Sequence, residues 1–186
     1  MIEPGMVFFS NNKKGLFPKL IRFFTESKIS HSGLITHPLG GVASVQEASQ
    51  VVQVVPFERY LKSKTEEYVV YRIKPELVSQ DIMREALRQC HLEFSGVHYG
   101  VLQCVWFVYA WAYKKITKRK YVPRGKNWFT QGLVCSELIY WYLYKLGNQF
   151  FSLVRHFNPD TIQAQDLLDI VIANPQIFEK VLDNQK

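Results

Sequence analysis

Cys135 stands in VCSELIYW, where a Gly-Leu-Val stretch gives way to an apolar, helix-forming run. A thiol at a helix start meets backbone N–H groups without intrahelical partners and the positive end of the helix dipole. Both favour the thiolate, the nucleophilic form of sulfur. Such a nucleophile needs a base, and the base needs an orienting group. His31, in SHSGLI, opens the first of two β-rich runs, 31–36 and 42–48, joined by the turn-rich HPLGG. A hairpin turning about Leu39 sets His31 opposite Glu47 of VQEAS, with Cβ atoms roughly 5 Å apart on one sheet face. A carboxylate there fixes the imidazole tautomer and stabilises the imidazolium. A slip of one residue would turn His31 to the other face. The bland reading stays open beside this one, because a cysteine on an apolar helix is also a small core residue and Glu47 also suits a solvated strand face.

Most other candidates read as structural. Cys90 and Cys104 fall inside helical apolar patterns and are expected in the core. His37 precedes a proline in a turn and His91 ends a helix; His98 and His156 lie in connections and stay open as candidates, with no acidic partner in view. Three scattered cysteines make no disulfide framework, and without a CxxC pair no zinc site is expected. No metal or organic cofactor is called for.

The elements that must carry these residues follow from periodicity. Residues 16–27 form a short helix with Leu20, Phe23 and Phe24 on one stripe and Pro18 in its first turn. Residues 51–57 and 67–73 add two β-rich segments. Pro75 opens a helix in which Val78, Ile82, Ala86 and Cys90 share a face. CSELIYWYLYKLG, 135–147, is a helix stopped by Gly147, and a turn at Pro159 precedes the helical DLLDIVIA. Strands gather in the first half and helices in the second, which predicts an α+β fold.

At 186 residues, with 47% apolar and 21% charged residues, the chain fits one domain, 1–186, with a real core, and disordered and fibrous classes are excluded. The start lacks a basic stretch followed by an apolar one, and no apolar run reaches the 18 or so residues of a bilayer span. A cytoplasmic, reducing compartment is expected, with association at a membrane surface as the further option.

That option comes from charge. Lys114, Lys115, Lys118, Arg119, Lys120, Arg124 and Lys126 lie in a stretch without acids and equal the whole net charge of +7. They follow VLQCVWFVYAWAY, 101–113, whose helix of about 20 Å is too short to cross a membrane. Two readings remain. One is a buried helix with a solvated basic loop. The other is an interfacial element, with Trp106, Trp111 and Tyr113 at headgroup level and Lys114, Lys115, Lys118, Arg119 and Lys120 on anionic lipid. Nucleic acid is not expected as a partner, for want of a recognition module.

PGMVFFS, SHSGLI with VQEAS, and VCSELIYW, in that order, resemble the YiiX/YaeF-like branch of the NlpC-type, circularly permuted papain-like cysteine hydrolases. The resemblance spans nearly the whole chain. It implies an antiparallel sheet packed against the helix that carries the nucleophile, Cys135 as that nucleophile, His31 as base and Glu47 as the orienting carboxylate. GVHYG resembles the family's Gly–Tyr element and makes Tyr99 a candidate substrate-binding residue. NPDTIQAQDLL resembles its closing segment. Met6 and Gly100 depart from the pattern, and the interval from Tyr99 to Cys135 is longer than usual, which marks about 101–129 as an insertion. The implied activity is a cysteine hydrolase or acyltransferase working through a thioacyl-enzyme on a peptide amide, an ester or thioester, or an acyl lipid. The alternative is a catalytically silent module that docks on a membrane or partner through 101–126.

Overall fold

Residues 2–118 and 132–184 are described by this computed structural model. Six strands pair antiparallel in the order β4-β3-β2-β1-β5-β6, with β1 Val7–Asn12, β2 His31–Leu39, β3 Val42–Ala48, β4 Val52–Pro56, β5 Glu66–Ile73 and β6 Phe178–Asp183. Between them come the helices α1 Leu16–Thr25, α2 Glu58–Leu61, α3 Gln80–Phe94, α4 Val101–Thr117, α5 Cys135–Lys145, α6 Asn148–Val154 and α7 Ala164–Ala173, with a 3-10 turn at Pro159–Thr161.

The central strands are apolar at successive positions because both faces of the sheet are covered. In β1, Val7 and Phe9 join a large core with residues of α3, α5, α6 and α7. Phe8 points the other way, into a smaller aromatic core with Ile35, Val45, Phe57, Tyr60 and Val70. The second core is closed by α2, the four-residue helix that carries Tyr60.

The α+β expectation holds at this coarse level, with particular corrections. β2 continues through His37 and Pro38, with an irregular register between Thr36 and Leu39, so His37 lies in a strand and the turn falls on Gly40–Gly41. Both glycines have positive φ, 59° and 82°, as a tight two-residue hairpin turn demands. Moving the turn from Leu39 to this pair shifts the register, so Gly33, not His31, stands opposite Glu47. The shift is two residues, which leaves His31 and Glu47 on the same face.

α3 begins later than Pro75. Ser79 caps it, its hydroxyl accepting the Ile82 N–H at 3.4 Å. Its buried side is therefore Met83, Ala86, Leu87, Cys90 and Phe94, while Ile82 faces outward. β6 at the far end of the chain was not expected; it takes the outer place beside β5. α5 runs as predicted, and Gly147 follows its last turn with φ of 113°.

Gly100 and Gly132 mark where the chain leaves and rejoins this body. Gly100 N–H donates to the Leu133 carbonyl at 3.3 Å and Leu133 N–H to the His98 carbonyl at 3.0 Å. The two backbones run so close that a Cβ on Gly132 would stand 2.7 Å from Gly100 Cα.

Candidate active site

His31 is the first residue of β2, at the end of the sheet. Its side chain belongs to the face of the small aromatic core, whereas the next residue, Ser32, points to the face where α5 packs. At this strand end the imidazole reaches both sides. On its own face Nε2 lies 3.2 Å from Glu47 Oε2. On the other side the ring faces the Cys135 thiol at the start of α5, near enough for each to shift the other's charge. With Nε2 engaged by the carboxylate, the second ring nitrogen is the one available to sulfur.

Gly33 explains how a diagonal pair comes so close. It stands directly across from Glu47, and a Cβ there would lie 2.8 Å from Val45 Cγ1 and 3.6 Å from Glu47 Cβ. With no side chain at Gly33, the Glu47 carboxylate can lean across that position to the imidazole. Within the His-Ser-Gly run, His31 therefore supplies the ring and Gly33 the clearance.

Glu47 is buried and heavily engaged. The Tyr60 hydroxyl donates to Oε2, Gln53 Nε2 donates to Oε1 at 3.4 Å, and Arg59 Nη1 lies 3.5 Å from Oε1. Tyr60 also stacks on the His31 ring, with centroids 6.5 Å apart and planes 16° from parallel. Tyr60, Arg59 and Gln53 were not anticipated from sequence. Nothing local in VVQVVPFERYL marks them, because β4 and α2 meet Glu47 only through the fold.

These contacts decide the charges. Burial alone would raise the Glu47 carboxyl, but hydrogen bonding and attraction from His31, with help from Tyr60 and Arg59, hold it down at about 2. Burial alone would lower His31; its bonds to Cys135 and Glu47 override this and lift it to about 10. Burial alone would raise Cys135, yet the His31 imidazolium and the Ser32 hydroxyl and N–H push it down. Ser32 Oγ, fully buried, has no hydrogen-bond partner among the described residues. The set favours a thiolate–imidazolium pair braced by a carboxylate.

The imidazole edge opens to solvent, its side chain 19% exposed, in a cleft of about 400 Å³ bordered by Glu47, Arg59, Tyr60, Phe17 and Tyr99. A small niche of about 30 Å³ holds Cys135, with Phe107, Val134 and Gln163 around it. Ser30, Ile21 and Tyr99 border both spaces, so Tyr99 stands between the imidazole side and the sulfur side. Glu137, one turn into α5, is buried and accepts the Val134 N–H at 2.7 Å, fixing the entry to the helix. Cys90 is buried in the large core as expected.

Comparison with known proteins bears on the fold. No family model matches the chain, and no curated protein matches it. Among solved structures it matches the crystal structure of the metalloprotein YiiX from Escherichia coli O157:H7 (DUF1105). The fold is similar to that of YiiX. The match covers 99% of this chain and 98% of that one, with a TM-score of 0.52 and 17% sequence identity. YiiX is a metalloprotein, and a metal here would need donors of its own in the cleft. Among the described residues no group of three or more His, Cys, Asp or Glu side chains could hold an ion. The Glu47 oxygens are already engaged by His31, Tyr60, Arg59 and Gln53. These residues do not fit a metal centre.

Of the remaining predicted residues, Trp111, Lys115 and Lys118 are described, and none of these three borders the His31 cleft. Trp111 is half-buried against Phe23 and Phe24 of α1 rather than free at a surface. Lys115 pairs with Glu26 at 3.1 Å, and Lys118 is exposed just past α4. Arg119 and Lys120 lie outside the described residues, as do the side chains of Cys104, Trp106 and Lys114. No described helix is long and apolar enough to cross a membrane.

Proposed function

We propose that the protein is a cysteine hydrolase or acyltransferase acting through a thioacyl-enzyme at Cys135. The observation that carries this reading is the single imidazole shared between a buried carboxylate and a thiol at a helix start. The chain order, histidine strand before cysteine helix, supports a circularly permuted papain-like arrangement.

In this reading the Cys135 thiolate attacks the carbonyl carbon of an amide, ester or thioester. A C–S bond forms, and the carbonyl π electrons move onto oxygen, to which the backbone N–H of Cys135, at the head of α5, donates a hydrogen bond. The intermediate collapses with loss of the amine, alcohol or thiol, which takes the His31 proton as it leaves. His31, now neutral, removes a proton from water or another acceptor as it attacks the thioester carbon. The C–S bond breaks and expels the Cys135 thiolate, which with the proton His31 has just taken restores the ion pair. Glu47 stays ionised throughout, holding the ring and stabilising its cationic form. Tyr99, between the two spaces, borders the path of the acyl group.

The test is intact-mass analysis after exposure to a panel of p-nitrophenyl esters of varied acyl length and peptide anilides. The expected result is one acyl adduct on Cys135 that decays in water, with release of p-nitrophenol abolished in Cys135→Ala. Absence of any adduct from a protein whose Cys135 still reacts with alkylators would overturn the acyl-transfer reading.

A further inference from the structure

The sequence reading places α1 as an ordinary amphipathic helix, yet none of its residues is buried. Leu16, Leu20 and Phe23, spaced as one helical stripe, are 74%, 44% and 59% exposed. Phe17 and Ile21 turn instead toward the cleft. α4 lies beside α1, joined to it where Trp111 meets Phe23 and Phe24. Among its described side chains Phe107 and Ala110 are buried, while Val105, Tyr109 and Ile116 face outward, Ile116 with 82% exposure. So α4 is neither a fully buried helix nor a spanning one.

Charge says what suits this pair. Residues 13–28 contain five basic side chains and one acid, Glu26, which pairs with Lys115; α4 itself contains no acid. Lys14, Lys19 and Lys28 are exposed around the α1 stripe. Leucine, phenylalanine, valine and isoleucine rimmed by lysine match the two layers of a lipid surface, hydrocarbon beneath anionic phosphate. A helix as short as α4, about 26 Å long, lies on such a surface instead of crossing it.

We propose that the outward faces of α1 and α4 dock the protein on the headgroup layer of an anionic bilayer. Phe17 and Ile21 of α1 also border the cleft, so docking sets the cleft mouth at the lipid surface. This surface is argued apart from the thiol chemistry, and its test uses a Cys135→Ser background so that the two stand or fall separately.

The experiment is co-sedimentation of the full chain with phosphatidylcholine vesicles and with vesicles that also contain phosphatidylglycerol, across a salt series. Expected are binding to the anionic vesicles, weakening as salt rises, and at least about tenfold loss in Leu16→Asp/Leu20→Asp. Lys14→Glu/Lys19→Glu should lose binding while leaving the apolar stripe intact. Leu92→Asp, at an exposed apolar position on α3, should bind as the parent does. Binding that ignores the α1 substitutions would overturn the proposal, as would no binding to anionic vesicles. A dimer in light scattering that the same Leu16/Leu20 pair dissociates, without vesicle binding, would assign the face to a second copy of the chain instead.

Discussion

Cys90 and Cys135 are both buried thiols on helices that cover the same face of the sheet, and they are driven in opposite directions. Around Cys90 burial dominates; Lys145 pulls the other way and Glu93 adds to the burial, and the thiol rises to about 12. Around Cys135 burial acts in the same sense but is overruled by an imidazolium that Glu47 supports from the far side of the sheet. Burial therefore makes a cysteine inert by default, and reactivity has to be imposed by a charge brought in from elsewhere in the chain.

The sharpest way to break this contrast is competitive labelling with a small alkylator at neutral pH, read by mass spectrometry. Cys135 should react at least about 10³-fold faster than Cys90, since only one of them is thiolate. Comparable rates would make both plain core thiols. Next in size is His31→Ala, which should slow Cys135 labelling about a hundredfold at neutral pH. The pH profile checks the same point. With Cys135 pushed down and His31 raised to about 10, the ion pair persists through neutrality. Labelling should be flat from roughly pH 7 to 9 and fall in acid, whereas the His31→Ala rate should climb about tenfold per pH unit.

Glu47 sharpens the comparison through stability. Its carboxyl is held at about 2 in the fold against an ordinary 4.5, so its contribution is present above about pH 4.5 and is lost as pH falls toward 2. Urea unfolding should show an acid loss of about 2 kcal/mol that Glu47→Gln flattens. A parent and variant with the same acid profile would mean that the carboxylate is not held by the imidazolium. The smallest effect belongs to Cys90→Ala, about 1 kcal/mol of stability for the lost packing, with Cys135 labelling unchanged. A shift in that labelling would tie the two thiols together.

The parts of this site that were legible from sequence are those with local causes. The start of α5 follows from GLV and the apolar run behind Cys135, and the two strands of the hairpin follow from their composition. The pairing of His31 with Glu47 was legible even though the register was two residues out, because β side chains keep their face under an even shift. Tyr60, Arg59 and Ser32 were not, since their roles arise from packing between segments that carry no mutual signal. β6 was missed for a related reason: FEKVLD is a short, mixed run that becomes a strand because β5 offers it an edge. The α1 stripe was read correctly as amphipathic, but amphipathicity does not say whether its apolar side faces protein or something else.

Gly100 and Gly132 sit at the foot of the excursion that contains α4, where two backbone hydrogen bonds tie Leu133 to Gly100 and His98. The entropy of closing a loop grows only with the logarithm of its length, so doubling or halving what lies between such ties changes the free energy of folding by only about 0.6 kcal/mol. Chain length between the ties therefore weighs little on their closure, and what holds this stretch to the rest of the molecule is the packing of α4, whose Phe107 borders the niche of Cys135.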